Sequence, residues 1–502
     1  MNRFLKNNWI YILAAVLILI LFSLRFYHLT ILPVFADEAI YIRWAQVMKA
    51  EETLRFLPLS DGKEPLFMWA AMAFLKFIHD PLMAARMLSV FCGFGTMVGV
   101  SLLSFFLFKH KKVALVAGLI YAISPFSFFF DRMALVDAML ATFAVWTFIF
   151  AYLSFTQERM DYAMIAGFML GGAWLTKSPA LFFAIMLPTL WLFIKSPKRL
   201  IKIIPLTLVI LIIGYGMFNI LRLGPNFELI ASRNLDYVYP INHFLVSPLD
   251  PLKPFLLQSW QWLVMMGPWS LIVLGLIGYL INWKKNWKQM IILTIWFLGP
   301  IVVESEFAKV LTARYILFTI PFLIVIASSA FLEERKTLVK ILAVILVFFI
   351  AQSLIFDHWL LVNPAKANLP RSERSGYLEE WTAGYGIREA SIFLRNEQAA
   401  HPNEKIVVGT EGYFGTLPDG LEMYLNDVPK ITVIGVGLGI NKMPQSLADA
   451  AKSGDSTYLL INQSRLVANP ASIGFTVLSS YPKAYRPDGT RDSLLLLKVK
   501  PF

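Results

Sequence analysis

Residues 9–48 read WIYILAAVLILILFSLRFYHLTILPVFADEAIYIRWAQVM. Residues 9–29 are apolar over a length that crosses a bilayer as a helix, which takes about 20 such residues. After Pro33 the character changes: Asp37 and Glu38 open a segment in which Ile40, Trp44, Val47 and Met48 recur at helical spacing. That pattern predicts a second helix lying in the interface, where Trp and Tyr favour the headgroup level. A spanning helix followed at once by an acidic interfacial one places polar chemistry at the membrane surface. Arg3 and Lys6 before the apolar run, with Val34-Phe35-Ala36 as a cleavage-like site, also permit a signal-peptide reading. The length of the run and the ten spans that follow it favour a retained helix with a cytoplasmic N-terminus.

The composition agrees with the membrane reading. Of 502 residues 57% are hydrophobic and only 16% charged, far from the quarter or so charged in soluble domains. The formal charge of +12 raises the question of nucleic acid or an anionic surface. Cys92 is the single cysteine, which excludes an intrachain disulfide framework and a Cys-rich metal site; it reads as a small buried hydrophobe.

Apolar runs near 9–29, 83–108, 113–130, 134–155, 162–176, 179–195, 200–222, 259–281, 288–303, 312–331 and 337–356 predict eleven spans. With the N-terminus inside, the cytoplasmic segments hold sixteen Lys and Arg (Arg3, Lys6, Lys109, Lys111, Lys112, Arg159, Lys195, Lys198, Arg199, Lys202, Lys284, Lys285, Lys288, Arg335, Lys336, Lys340). The short outer connections hold four: Arg132, Lys177, Lys309 and Arg314. The positive-inside rule therefore puts the loops 30–82 and 223–258 and the tail after residue 356 outside. Within loop 30–82, Ala36 to Met48 and Glu64 to Ile78 are the expected interfacial helices. The cytoplasmic excess accounts for the whole +12, so the charge is a topology signal and nucleic acid is not an expected partner.

From Asp357 onward fifteen basic and fifteen acidic residues balance. Strand-like runs at Lys405 to Gly409, Ile431 to Val436, Thr457 to Ile461 and Leu494 to Val499 alternate there with helical patterns near 386–399 and 444–452. Expected domains are thus a membrane module at 1–356 and an extracytoplasmic α/β domain at 357–502.

The span centres are nearly free of charge, unlike those of a transporter or proton relay. Charge gathers instead at the outer ends. Asp37 and Glu38 either cap the interfacial helix or supply a general base that deprotonates an acceptor hydroxyl. Lys63, Arg86, Lys177 and Arg314 either snorkel individually or act together as a phosphate clamp. Asp131 and Arg132 either neutralise each other or support the site, and Asp137, inside the start of a span, requires a cationic partner from the same face. Six scattered histidines carry no metal spacing, no Walker-type loop is present, and Gly435 to Gly439 reads as a turn after a strand.

In this order, Ala36-Asp37-Glu38-Ala39-Ile40-Tyr41, Gly62-Lys63-Glu64-Pro65, Ala85-Arg86, Ser124-Pro125 through Asp137, Leu175-Thr176-Lys177-Ser178-Pro179 and Arg314-Tyr315 with Pro321 resemble glycosyltransferase family 39 of the GT-C superfamily. Protein O-mannosyltransferases and lipid A aminoarabinose transferases are of this type. The resemblance covers most of residues 1–330. It implies a polytopic α-helical GT-C fold and a polyprenyl-phosphate-linked sugar donor. It also implies inverting transfer to a hydroxyl acceptor, with Asp37, aided by Glu38, as the catalytic site. Lys63, Arg86, Lys177 and Arg314 match groups near the donor phosphate, with Tyr41, Arg132, Asp137 and Tyr315 in support. Two features depart from the family's subtypes. Ile40 and Glu64 stand where lipid A transferases carry Arg and a Lys-Pro-Pro run, with Arg43 one turn on, and the α/β tail replaces a β-trefoil.

The expected protein is therefore a multi-pass transferase of the plasma or inner membrane, in contact with the lipid bilayer and requiring no nucleotide. No cofactor is specified; a divalent cation is compatible with the outer carboxylates, although no ligand set is. A lipid-linked sugar flippase and a non-catalytic envelope scaffold are the competing readings. Charge-poor spans and the absence of a visible repeat between the halves weigh against the flippase.

Overall fold

The computed structural model describes residues 2–194 and 196–500, with side chains from residue 8 onward. The side chains of Arg3 and Lys6 and all of Lys195, three of the basic residues used for orientation, lie outside the described residues. The chain begins with α1 (Asn2–Phe26), β1 (Val34–Phe35), α2 (Ala36–Ala50), α3 (Leu66–Phe77), α4 (Pro81–Phe108), α5 (Lys111–Ile123), α6 (Pro125–Phe130), α7 (Val136–Gln157) and α8 (Met160–Trp174). The segments expected to be helical at 36–48 and 64–78 form α2 and α3.

Several of the eleven candidate spans are short or broken helices. Among the described residues seven helices are long and apolar enough to cross, or eight if one bent pair counts as a single span. The reasons are local. At Ser124-Pro125 the candidate 113–130 breaks into α5 and α6, because proline cannot donate to the preceding turn. At 162–176 the helix α8 has 15 residues, or about 22 Å of rise against a core of about 30 Å. The candidate 179–195 is a short α-helix followed by 3-10 turns through Pro188, and 259–281 bends by 100° between Leu252–Met265 and Trp269–Asn282, at Gly267-Pro268. Hydropathy recognises apolar runs, and such breaks do not lower it.

The buried members organise the bundle. The helix α7 and the stretch Ala313–Leu332 are mostly enclosed by protein, whereas α1 and the helix Lys336–Val362 mostly face outward. The short α8 packs between α7 and the helix Pro197–Phe218. A Cβ on Gly171 would sit 2.5 Å from Met217 Sδ, so only glycine permits that approach. Because α8 stops early, the chain after it turns back into the protein with Lys177.

The tail is an α/β unit, as expected. A five-stranded sheet has the order β4-β3-β5-β7-β6, formed by β3 (Ile406–Thr410), β4 (Ile431–Gly435), β5 (Ser456–Asn462), β6 (Phe475–Pro482) and β7 (Ser493–Val499). The first three are mutually parallel and β7 pairs antiparallel with β5 and β6. The strand β6 and the helix Asp419–Leu425 were not anticipated. Asp357, expected to open the tail, is buried within Lys336–Val362.

The tail is tied to the segment between α1 and α4. A short strand β2 (Ala383–Gly384) pairs antiparallel with β1, Phe35 opposite Ala383. Arg43 bonds Glu422 at 2.7 Å and Asn426 at 2.7 Å, and Gln46 donates to the Met423 carbonyl. Asp80 caps α4 through the Met83 N–H and binds Arg388 at 2.7 Å. The element carrying Asp37 is thus clamped on one side by the bundle and on the other by the tail.

Candidate active site

Asp37 lies in the first turn of α2, held by the β1–β2 pairing just before it. Its carboxylate meets Arg314 Nη2 at 2.5 Å and Lys63 Nζ at 3.8 Å. Lys63 arrives after a 3-10 turn over Leu57–Asp61 that closes at Gly62 with φ 64°. A Cβ there would stand 2.5 Å from the Leu229 carbonyl oxygen, so the turn that aims Lys63 requires glycine. The ammonium also lies 3.4 Å from Asp61 and over the rings of Tyr41 and Trp44, at 5.2 and 5.7 Å.

Arg314 stands on the 3-10 segment Ala313–Thr319, whose first N–H donates to buried Glu373 Oε1 at 3.1 Å. Its guanidinium stacks over Phe35 and Tyr315. Lys177 Nζ reaches Asp137 Oδ1 at 2.6 Å and lies 3.9 Å from the Tyr315 ring centre. Lys177 is therefore the cation that Asp137 requires. These groups lie together and each keeps partial solvent access: side-chain exposure is 12% for Arg314, 20% for Asp37 and Lys177 and 24% for Lys63.

Burial alone raises the pKa of Asp37, but Arg314, Lys63 and Lys177 outweigh it and hold the carboxyl at about 2. Glu64 and Glu373 are pushed above the ordinary carboxylate range by burial, although Ser178 donates to the first at 2.7 Å. The Tyr41 and Tyr377 hydroxyls are pushed well up, also by burial.

The other expected site residues lie elsewhere. Glu38 and Arg86 form a pair with no side-chain exposure, at 2.7 Å. Arg86 uses all five N–H donors inside the protein, on both Glu38 oxygens and the carbonyls of Leu29, Leu32 and Pro33. Glu38 also accepts from the N–H groups of Phe35 and Ala134. A phosphate on Arg86 would have to displace one of these partners. Asp131 and Arg132 do not neutralise each other: Asp131 binds Arg25 at 2.8 Å, while Arg132 donates to the Leu24, Arg25, Tyr27 and His28 carbonyls at the end of α1. Backbone carbonyls freed where a helix stops attract an arginine more strongly than an already paired aspartate does.

Three members of the neighbourhood were missed. Glu373 and Tyr377 come from the tail, with the Tyr377 ring 4.4 Å from Phe35, and no local pattern marks them. Glu304 lies within electrostatic reach of Lys177 and Asp137, with Oε2 buried and unpartnered among the described residues. Among the described residues no group of three or more His, Cys, Asp or Glu is disposed to hold a metal ion.

Residues 62–217 match the family described as dolichyl-phosphate-mannose-protein mannosyltransferase. That stretch includes Lys63, Arg86, Asp137 and Lys177. No curated protein matches the chain. Among solved structures, ArnT from Cupriavidus metallidurans in the apo state is 14% identical with a TM-score of 0.57, over 98% of both chains. The same protein bound to undecaprenyl phosphate gives 16% and 0.55, over 97% of this chain and 98% of that one. The archaeal oligosaccharyltransferase AglB from Archaeoglobus fulgidus, in complex with an inhibitory peptide and a dolichol-phosphate, gives 12% and 0.52, over 99% of this chain and 75% of that one. The chain is a multi-pass membrane protein that shares the fold of these structures, with a C-terminal α/β domain.

Proposed function

We propose that this chain transfers a sugar from a polyprenyl-phosphate donor to a hydroxyl acceptor at the site around Asp37, on the extracytoplasmic side of a plasma or inner membrane. The observation that carries the reading is one carboxylate between Arg314 and Lys63, with Lys177 close by. The relatives bound to undecaprenyl phosphate and dolichol-phosphate support the donor class. In the proposed step the acceptor oxygen attacks the anomeric carbon as its bond to the phosphate oxygen breaks. The configuration inverts, the acceptor proton goes to Asp37, and polyprenyl phosphate leaves against Lys63, Lys177 and Arg314. Glu38 and Arg86, assigned here to positioning, fix the start of α2 through Phe35 and the loop carbonyls. The domain boundary falls, on this reading, where Lys336–Val362 ends. No step requires a metal.

A carboxyl held at about 2 is a weak base, and the same geometry supplies the remedy. A phosphate that takes up Arg314 and Lys63 withdraws their charge from Asp37, so its pKa rises when donor binds. Two measurements follow. Lys63→Ala and Arg314→Ala should each weaken donor binding at least about tenfold, the scale of a lost charge-assisted contact; unchanged donor affinity in both removes them from the site. In the pH profile of kcat/KM, which reports the free enzyme, the acid limb from Asp37 should lie below about pH 4, and in kcat it should move upward. An acid limb at the same pH in both profiles would contradict the shared-cation account. The depressed value also means that the folding contribution of Asp37 is present above its unfolded value near 3.8 and fades as pH falls toward 2.

A further inference from the structure

The sheet of the tail has a topological switch point that the transfer step does not use. From β3 the chain passes through the helix Asp419–Leu425 to β4 on one side, then through the helix Gln445–Lys452 to β5 on the other. The winding thus reverses between β3 and β5, and in parallel sheets ligands sit outside the carboxyl ends of the strands at such a point. Here Glu411, just after β3, accepts from the Asn462 N–H and Nδ2 at the end of β5, both at 2.8 Å. Asn462 Oδ1 is buried with no partner among the described residues.

Two loops flank this point. Gly412, Gly415, Gly437 and Gly439 have positive φ and keep the backbone open. Around them large side chains stand in solvent: Trp381 is 39% exposed, Phe414 47%, Leu438 61% and Tyr413 76%. They are contiguous, since a Cβ on Gly415 would lie 3.6 Å from Trp381, one on Gly437 3.5 Å from the Tyr413 hydroxyl and one on Gly412 3.8 Å from Leu438. The Arg465 guanidinium lies 5.0 Å from the Trp381 ring centre. The patch adjoins the site through buried Trp44, which contacts both Phe414, at 5.7 Å between rings, and the Lys63 ammonium beside Asp37.

We propose that this aromatic surface on the tail binds a saccharide portion of the acceptor and leads its hydroxyl toward Asp37. The assignment of an acceptor rests on the transfer reading above; the saccharide binding does not. Exposed flat rings with Arg465 beside Trp381, and open glycine backbone above the buried Glu411–Asn462 pair, suit pyranose rings, which offer a C–H face and a rim of hydroxyls. An acyl chain would call for unbroken apolar lining.

The test uses the full chain in lipid nanodiscs free of glycoside detergent, titrated with gluco-, galacto- and manno-configured trisaccharides and read by saturation-transfer NMR. At least one should bind, and Trp381→Ala and Tyr413→Ala should each weaken it about five- to tenfold, the range of one aromatic contact. Both side chains are substantially exposed, so unfolding midpoints should stay at the wild-type value. Failure of all three trisaccharides to bind wild type, or equal binding by both variants, overturns the proposal. Asp37→Asn should bind the saccharide as wild type does. If that variant still transfers sugar, the transfer reading of Asp37 falls while the surface stands; if it loses transfer and no saccharide binds, the surface falls alone.

Discussion

Asp37→Asn should lower turnover with a polyprenyl-phosphate sugar by about 10²- to 10⁴-fold, the usual contribution of a positioned general base, while the protein stays inserted and folded. The separation of the two effects follows from exposure. Asp37 is 20% exposed, and its partners Arg314 and Lys63 also reach solvent, so the ion pairs lost are of the partly solvated kind that contribute about 0.2–1 kcal/mol. Asparagine keeps the volume and one acceptor oxygen, so α2 retains its start. What disappears is the negative charge that balances Arg314 and receives a proton. Donor binding should be kept or tightened, since the cations lose an internal competitor. Wild-type turnover of Asp37→Asn, with donor and acceptor at saturation, would remove Asp37 from the chemistry.

The parts of this arrangement that can be read from residues alone are those set by short-range rules. Asp37 and Glu38 were visible because an acidic pair heads an amphipathic segment just after a span, and Lys177 because Leu175 to Pro179 interrupts an apolar stretch with a charge. The pairing of Asp137 with Lys177 was open to inference because a carboxylate inside a span needs a cation from the same face. The distinction between Asp37 and Glu38 was not legible. They are neighbours in sequence, and only the helix turn decides that one faces the partly exposed cations and the other the sealed Arg86. Glu373 and Tyr377 were hidden for another reason: they reach the site through β2 pairing with β1 and through the Ala313 N–H, contacts between segments far apart in the chain. Apolar runs did not reveal where helices break, at Pro125 and at Gly267-Pro268. Yet these breaks, with the early end of α8, position the elements that deliver Lys177 and close the bundle around the site.

Removing Arg86 should unfold what removing Asp37 leaves intact. Arg86→Ala strands the Glu38 carboxylate, which has no side-chain exposure, without its cation. It also frees the carbonyls of Leu29, Leu32 and Pro33 in the loop between α1 and α2. Breaking a buried pair by deleting one partner costs about 3–5 kcal/mol, a large fraction of the 5–15 kcal/mol that stabilises a typical folded protein. The variant should therefore yield little monodisperse protein, with a sharply lowered unfolding midpoint. Arg86→Lys should rescue poorly, since one ammonium cannot supply five donors in the guanidinium geometry. Replacing both partners, as Glu38→Gln with Arg86→Gln, should recover part of the loss, because no charge is then left buried alone. Midpoints of the four proteins, read with donor affinity, separate the two roles open to this arginine. A folded Arg86→Ala with weakened donor binding would return it to the phosphate, whereas an unfolded one assigns it to holding α2 in place for its neighbour Asp37.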